Sequence, residues 1–146
     1  MSLTIEQFIE RMNQIIPRFI RKVHVRQSAI FIKGDLSIPQ FLVLELIGNA
    51  GRIKMCEVAA EMRISRPAVT GIVDRLAKLD LLTRLPSEAD RRVIFIQLTK
   101  RGQALIQKVR SQRAEVIKVG FSALSPDERE TYVSILEKVT GILTGG

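Results

Sequence analysis

Ile64-Ser65-Arg66-Pro67-Ala68-Val69-Thr70-Gly71-Ile72-Val73-Asp74-Arg75-Leu76-Ala77-Lys78 is followed, past Leu79 and Asp80, by two apolar runs at 81–85 and 93–98 and then by Thr99-Lys100-Arg101-Gly102. In the first part Val69, Ile72, Val73, Leu76 and Leu79 fall on one helical stripe, while Arg66, Pro67, Thr70, Asp74, Arg75 and Lys78 fall on the other. Ser65 supplies the N-cap, and Pro67 suits a first turn. The two runs that follow are rich in β-branched residues and read as strands of a hairpin, with 86–90 as its turn. Asp90, Arg91 and Arg92 stand at the tip.

Upstream, a short helix beginning near Met55, with Val58, Ala59 and Met62 inward, meets the capped helix through a tight turn at Arg63-Ile64. Helix, turn, helix and hairpin in that order read as a winged helix-turn-helix, a module that lays its second helix in the major groove of DNA. The exposed stripe then becomes a reading face. Ser65 and the helix's N-terminal amides suit a phosphate, Arg66, Pro67 and Thr70 are placed to reach base edges, and Arg66 is the candidate for guanine. Arg75 and Arg84 add positive charge. Long cationic side chains at 91 and 92, oriented by Asp90, suit a narrow electronegative minor groove. Each feature also has a plain structural reading, as a capped surface helix or a solvated turn.

Charge separates the readings. Positions 52–113 carry 14 Lys and Arg against 6 Asp and Glu, so a net +8, equal to the formal charge of the chain, lies there and the two ends cancel each other. Such segregation is the footprint of a polyanion-binding surface.

Outward from this segment, Ile5, Phe8, Ile9, Met12, Ile15, Ile16, Phe19, Ile20 and Val23 recur at helical spacing, which predicts a long first helix kinked at Pro17. Gly34-Asp35 interrupts it. Ser37 then caps a second helix carrying Phe41, Leu42, Leu44, Leu46 and Ile47, which Asn49-Ala50-Gly51 ends. After the hairpin a helix runs from about Thr99 to Phe121. Ser125 with Glu128 forms a capping box for a last helix bearing Tyr132, Val133, Leu136, Val139 and Leu143. The predicted fold is mainly α (α+β): a winged helix-turn-helix with a two-stranded wing at 37–102, flanked by helical segments at 1–36 and 103–146.

Other classes fit less well. A hydrophobic content of 46% supports a real core. No apolar run approaches the ~18 residues of a membrane span, and Glu6 and Glu10 do not suit a signal peptide, so the expectation is a soluble cytoplasmic protein without a membrane partner. One cysteine and one histidine allow neither an internal disulfide nor a four-ligand zinc site within one chain, and no metal or other cofactor is expected. Neither a glycine-rich phosphate loop nor a nucleophile with a base is visible, which speaks against an enzyme. The alternative to DNA recognition is a winged-helix adaptor that binds protein. Such a module would show an uncharged or acidic recognition face, unlike Arg66, Arg75, Arg84, Arg91 and Arg92.

Leu76, Leu82, Arg84, Asp90-Arg91-Arg92, Leu98-Thr99 and Gly102, set between long terminal helices, resemble the MarR family of transcriptional regulators over nearly the whole chain. The resemblance implies an obligate homodimer, in which the terminal helices of two chains interlock and two recognition helices meet a pseudo-palindromic operator in double-stranded DNA. It matches Arg92 to the family's wing arginine, Asp90 to the acid that positions it, and 65–70 to the start of the recognition helix. Asp80 stands where the family usually has glycine, and a normal turn is expected there because Asp tolerates the left-handed conformation. Family members commonly act as repressors released by small aromatic ligands bound between dimer domain and DNA-binding lobe. His24, Arg26, Phe31 and Phe41 are the candidates to line such a cleft, with plain core as the alternative. A redox-sensing branch uses a cysteine in the N-terminal helices, whereas Cys56 lies in the helix-turn-helix, where free cysteine usually serves as a small hydrophobe.

Overall fold

A computed structural model describes residues 2–34 and 36–145, with the side chains of 23–34 outside the described residues. The chain forms α1 (Ile5–Gly34), α2 (Ile38–Ala50), β1 (Arg52–Lys54), α3 (Met55–Met62), α4 (Arg66–Lys78), β2 (Leu82–Pro86), β3 (Ile94–Leu98), α5 (Lys100–Phe121) and α6 (Pro126–Leu143).

Capping chemistry sets most helix starts. Ser37 Oγ accepts from the Gln40 N–H while the Gln40 side chain accepts from the Ser37 N–H, a reciprocal pair that satisfies two donors at the start of α2. Ser125 and Glu128 repeat the device at α6. At the other end of α2, Gly51 adopts φ +75° and turns the chain into β1. α1 is assigned as helix straight through Pro17, the expected site of a kink.

The core lies between α2, α3, α4, the sheet and the first turns of α5. Val43, Leu44, Ile47, Val58, Val73, Leu76 and Ile96 are all fully buried. α2 corrects the sequence reading: Val43 points into the core, whereas Leu42 stays 45% exposed. The helix is apolar on nearly every side, so periodicity alone does not select its inner face.

The sheet has three strands in the order β1-β3-β2, all antiparallel. The two-stranded wing thus gains a third strand, β1, whose Ile53 pairs with Ile96 and shares its burial. The hairpin also begins later than expected, since Pro86 pairs with Ile94 and the loop runs over 87–93. Proline is tolerated there because β2 is an edge strand.

Leu98-Thr99 and Gly102 form a joint between the wing and α5. Thr99 caps α5 by accepting from the Gly102 N–H at 3.0 Å, donates its hydroxyl to the Asp80 carbonyl at 2.6 Å, and donates its N–H to the Leu81 carbonyl at 3.1 Å. A Cβ on Gly102 would lie 2.0 Å from the Leu81 carbonyl oxygen, so only glycine lets the two backbones approach this closely. Asp80 adopts φ +58° as expected, and the Leu81 N–H closes the turn onto the Leu76 carbonyl.

Two polar contacts tie the second helix to the long one: Arg113 pairs with Glu45 at 2.6 Å, and Arg110 donates to Asn49. α1 packs against α5. α6 returns toward the lobe, where its end meets Arg63, which donates to the Thr144 carbonyl at 3.4 Å. Along the way it buries none of its residues, and its sequence-expected stripe of Tyr132, Val133, Leu136, Val139 and Leu143 is 41–74% exposed.

Candidate nucleic-acid interface

α4 owes its exposed face to the opposite one. Val69, Val73 and Leu76 anchor it in the core, which leaves Arg66, Pro67, Thr70, Gly71, Asp74, Arg75 and Lys78 in solvent. Ser65 Oγ accepts from the Ala68 N–H, and the Ser65 carbonyl accepts from the Val69 N–H. Pro67 has no N–H to offer. The Ser65 and Arg66 N–H groups are therefore the donors at this terminus left without a partner among the described residues, two amides open to a phosphate. Thr70 donates its hydroxyl to the Arg66 carbonyl, which fixes that side chain along the helix.

In the wing loop, both Asp90 oxygens are occupied by Arg92. Oδ1 accepts from the Arg92 backbone N–H at 3.0 Å and from Nε at 3.2 Å, and Oδ2 accepts from Nη2 at 3.3 Å. These hydrogen bonds, the backbone one foremost, hold the Asp90 carboxyl below its ordinary range. Ser87 braces the loop by accepting from the Asp90 N–H. The Arg92 side chain remains 90% exposed, so it is oriented without being covered. Arg91 is exposed beside it.

A cleft of about 440 Å³ lies between these elements. Arg66, Val69 and Thr70 form one wall, Asp90 and Arg92 another, and Lys54, Met55 and Cys56 the third. Four of the sequence-nominated residues, Arg66, Thr70, Asp90 and Arg92, are thus brought together, with Ser65 and Pro67 at the rim of the same helix. Arg75 lies farther along α4. Arg84 is drawn aside: its guanidinium pairs with Asp74 and ties β2 to α4. Lys54, which no sequence motif nominates, owes its place in the cleft to the pairing of β1 with β3. The alternation of Arg52, Ile53 and Lys54 was its only sequence signal.

Phe41 is a core residue, 5% exposed. The side chains of His24, Arg26 and Phe31, with which it was grouped, lie outside the described residues. Cys56 is exposed rather than buried, against the expectation of a small core hydrophobe. No helix among the described residues is long and apolar enough to cross a membrane.

The sequence pattern of the MarR family matches residues 36–94. The Bacillus subtilis (strain 168) protein YfiV, described as an uncharacterized HTH-type transcriptional regulator, is 34% identical over 111 residues, covering 74% of this chain and 69% of that protein. The crystal structure of RV1404 from Mycobacterium tuberculosis is similar over 100% of this chain and 97% of its own, with TM-score 0.81 and 25% identity. At the level of fold alone, a cysteine-to-serine mutant of E. coli MarR complexed with operator DNA matches 93% of this chain and 98% of its own, with TM-score 0.66 and 24% identity. A family pattern that runs from the second helix into the wing, a relative of this identity and a shared fold together place the chain in the MarR family of winged helix-turn-helix transcriptional regulators.

Proposed function

We propose that this protein is a homodimeric, sequence-specific DNA-binding repressor that acts in the cytoplasm on a pseudo-palindromic operator. The observation that carries the reading is the cleft: Arg66 and Thr70 at the start of α4 and Arg92 on the wing line one cavity. In this reading α4 enters the major groove, with Arg66 and Thr70 on base edges, while Arg91 and Arg92 reach the backbone or minor groove. Residues 37–102 are the DNA-binding unit. The segments 1–36 and 103–146 pair with those of a second chain, because the described apolar faces of α1 and α6 stay largely exposed in one copy. Two-fold symmetry then sets half-sites about one helical turn apart, and a dimer seated on a promoter occludes it. Release by a small aromatic ligand rests on the family resemblance alone.

Fluorescence anisotropy of the purified protein, titrated against DNA upstream of its own gene and against unrelated duplex at several salt concentrations, tests this. Preference for its own upstream DNA with a steep salt slope is expected. Equal, weak binding to both would overturn sequence specificity. Absence of binding at low salt would favour the protein-binding adaptor.

A further inference from the structure

We infer that the edge strand β1 is a third arm of the DNA-binding surface, where Arg52 and Lys54 take phosphates flanking the bases reached by α4. This extension rests on the DNA-binding reading above. The alternation of β1 places Ile53 in the core and both cations on the opposite face of the sheet, with Phe95 of β3. Arg52 Cζ stands 4.1 Å from the centre of the Phe95 ring, and Lys54 Nζ stands 6.0 Å from it.

Three observations point the pair at a polyanion. Lys54 lines the same cleft as Arg66, Thr70 and Arg92, so its ammonium lies beside the groups proposed to meet DNA. Arg52 continues that lining outward by one rung of the same strand face, about 7 Å on. Finally, their charges stand uncompensated. Arg84, Arg92 and Arg113 each pair with a carboxylate, whereas neither Arg52 nor Lys54 forms an ion pair among the described residues. The nearby acid, Glu57, accepts from the Lys54 backbone N–H instead. A guanidinium laid on an aromatic ring keeps its in-plane N–H donors free, in the fork that fits a phosphate, and loses little further freedom when one arrives. Phe95 is thus the positioning residue for Arg52.

Arg52→Gln, Lys54→Gln and the double variant, compared with the parent across a salt series on a duplex extending beyond the operator, read the effect directly. Each single change is expected to reduce the slope of log K against log salt by about 0.9, the double by about twice that, and the loss should be equal on operator and unrelated sequence. Phe95→Leu keeps both charges, so it should lower affinity about 2- to 5-fold with the slope unchanged. Trimming the duplex to the operator edge should remove the difference between parent and double variant. A double variant that keeps the parent's slope on the long duplex while melting like the parent overturns the inference. So does a loss confined to the operator, which would mark β1 as a base reader. A parent that binds no DNA overturns the functional reading as a whole, a result distinct from either.

Discussion

The winged lobe and the terminal helices are built from similarly apolar sequence yet end in opposite states. Among the described residues, fourteen of the sixteen buried core residues lie between Leu36 and Leu98, and the other two, Ile106 and Val109, stand where α5 leaves the lobe. In α1, Ile5, Phe8, Ile9, Ile15, Ile16, Phe19 and Ile20 remain 42–63% exposed, and α6 buries none of its residues. The lobe's apolar stripes face one another, whereas those of α1 and α6 face solvent. Amphipathic pattern therefore says that a face needs covering; whether the cover is supplied within the chain is a matter of topology. The lobe carries its own core, whereas the described apolar faces of the ends stay uncovered in one chain.

The largest test of that contrast is Leu136→Glu. Leu136 is 47% exposed in one chain. If a partner covers it, two-fold symmetry removes two such contacts, about 3 kcal/mol or more, with the penalty for burying two charges besides. Sedimentation should show the parent as a dimer and the variant dissociating at least ~100-fold more readily. A parent that sediments as a monomer would erase the distinction between lobe and ends.

Gly102→Ala strikes the opposite region. Its new methyl group would meet the Leu81 carbonyl at 2.0 Å, so the joint between recognition helix, wing and α5 must shift. Thermal unfolding should show a loss of about 1–3 kcal/mol or more, typical of overpacking. Loss of the dimer without loss of lobe stability would instead place the strain in α5.

Much of this was legible from local rules. The caps at Ser37, Ser65 and Ser125, the inward stripe of α4 and the left-handed turn at Asp80 each depend on residues within a few positions of one another. What escaped depends on partners far along the chain. β1 is a strand only because β3 lies beside it, and the same pairing carries Lys54 into the cleft. The partner of Arg84 is Asp74, ten positions away on another element, a pairing that no local rule signals. Thr99 and Gly102 were recognisable as a pattern, but their purpose is a backbone contact with Leu81 that no local rule supplies.

Within the lobe, the two parts of the cleft should fail differently. Arg66→Ala is expected to cost about 1–3 kcal/mol of binding and to relax preference at one base position, whereas Arg92→Ala should weaken binding across sequences and lower the salt slope. Anisotropy on a set of singly substituted operators separates them. If both variants bind like the parent, the assignment of this surface is wrong.

Gly71 sharpens the division between folding and binding with a smaller effect. It sits inside α4, on the face opposite the buried stripe, where an added Cβ would meet nothing within 4 Å. Folding alone disfavours glycine in a helix interior, so Gly71→Ala should raise stability by about 0.5–1 kcal/mol. On the proposed face, the methyl group would stand between helix and groove floor. Higher thermal stability with weaker operator binding is the expected pair of results, and unchanged binding would move the DNA away from the centre of this face.

The smallest effect concerns pH. Asp90 is partly exposed, and hydrogen bonds from the Arg92 backbone and side chain lower its pKa, so folding favours its ionised form. For a carboxylate lowered in this way, the contribution to wing order is complete above the ordinary value, near 3.9, and is lost as pH falls through the lower folded value. Operator affinity measured from pH 8 to about 5 should therefore show no step from this pair. Asp90→Asn, which keeps an acceptor but gives up the charge, should reduce affinity by less than Arg92→Ala does and leave the pH profile flat over that range. A step near neutrality that disappears in Asp90→Asn would mean that Arg92 does not hold this carboxylate in solution, and the wing would then lose the preorganisation that distinguishes Arg92 from its neighbour Arg91.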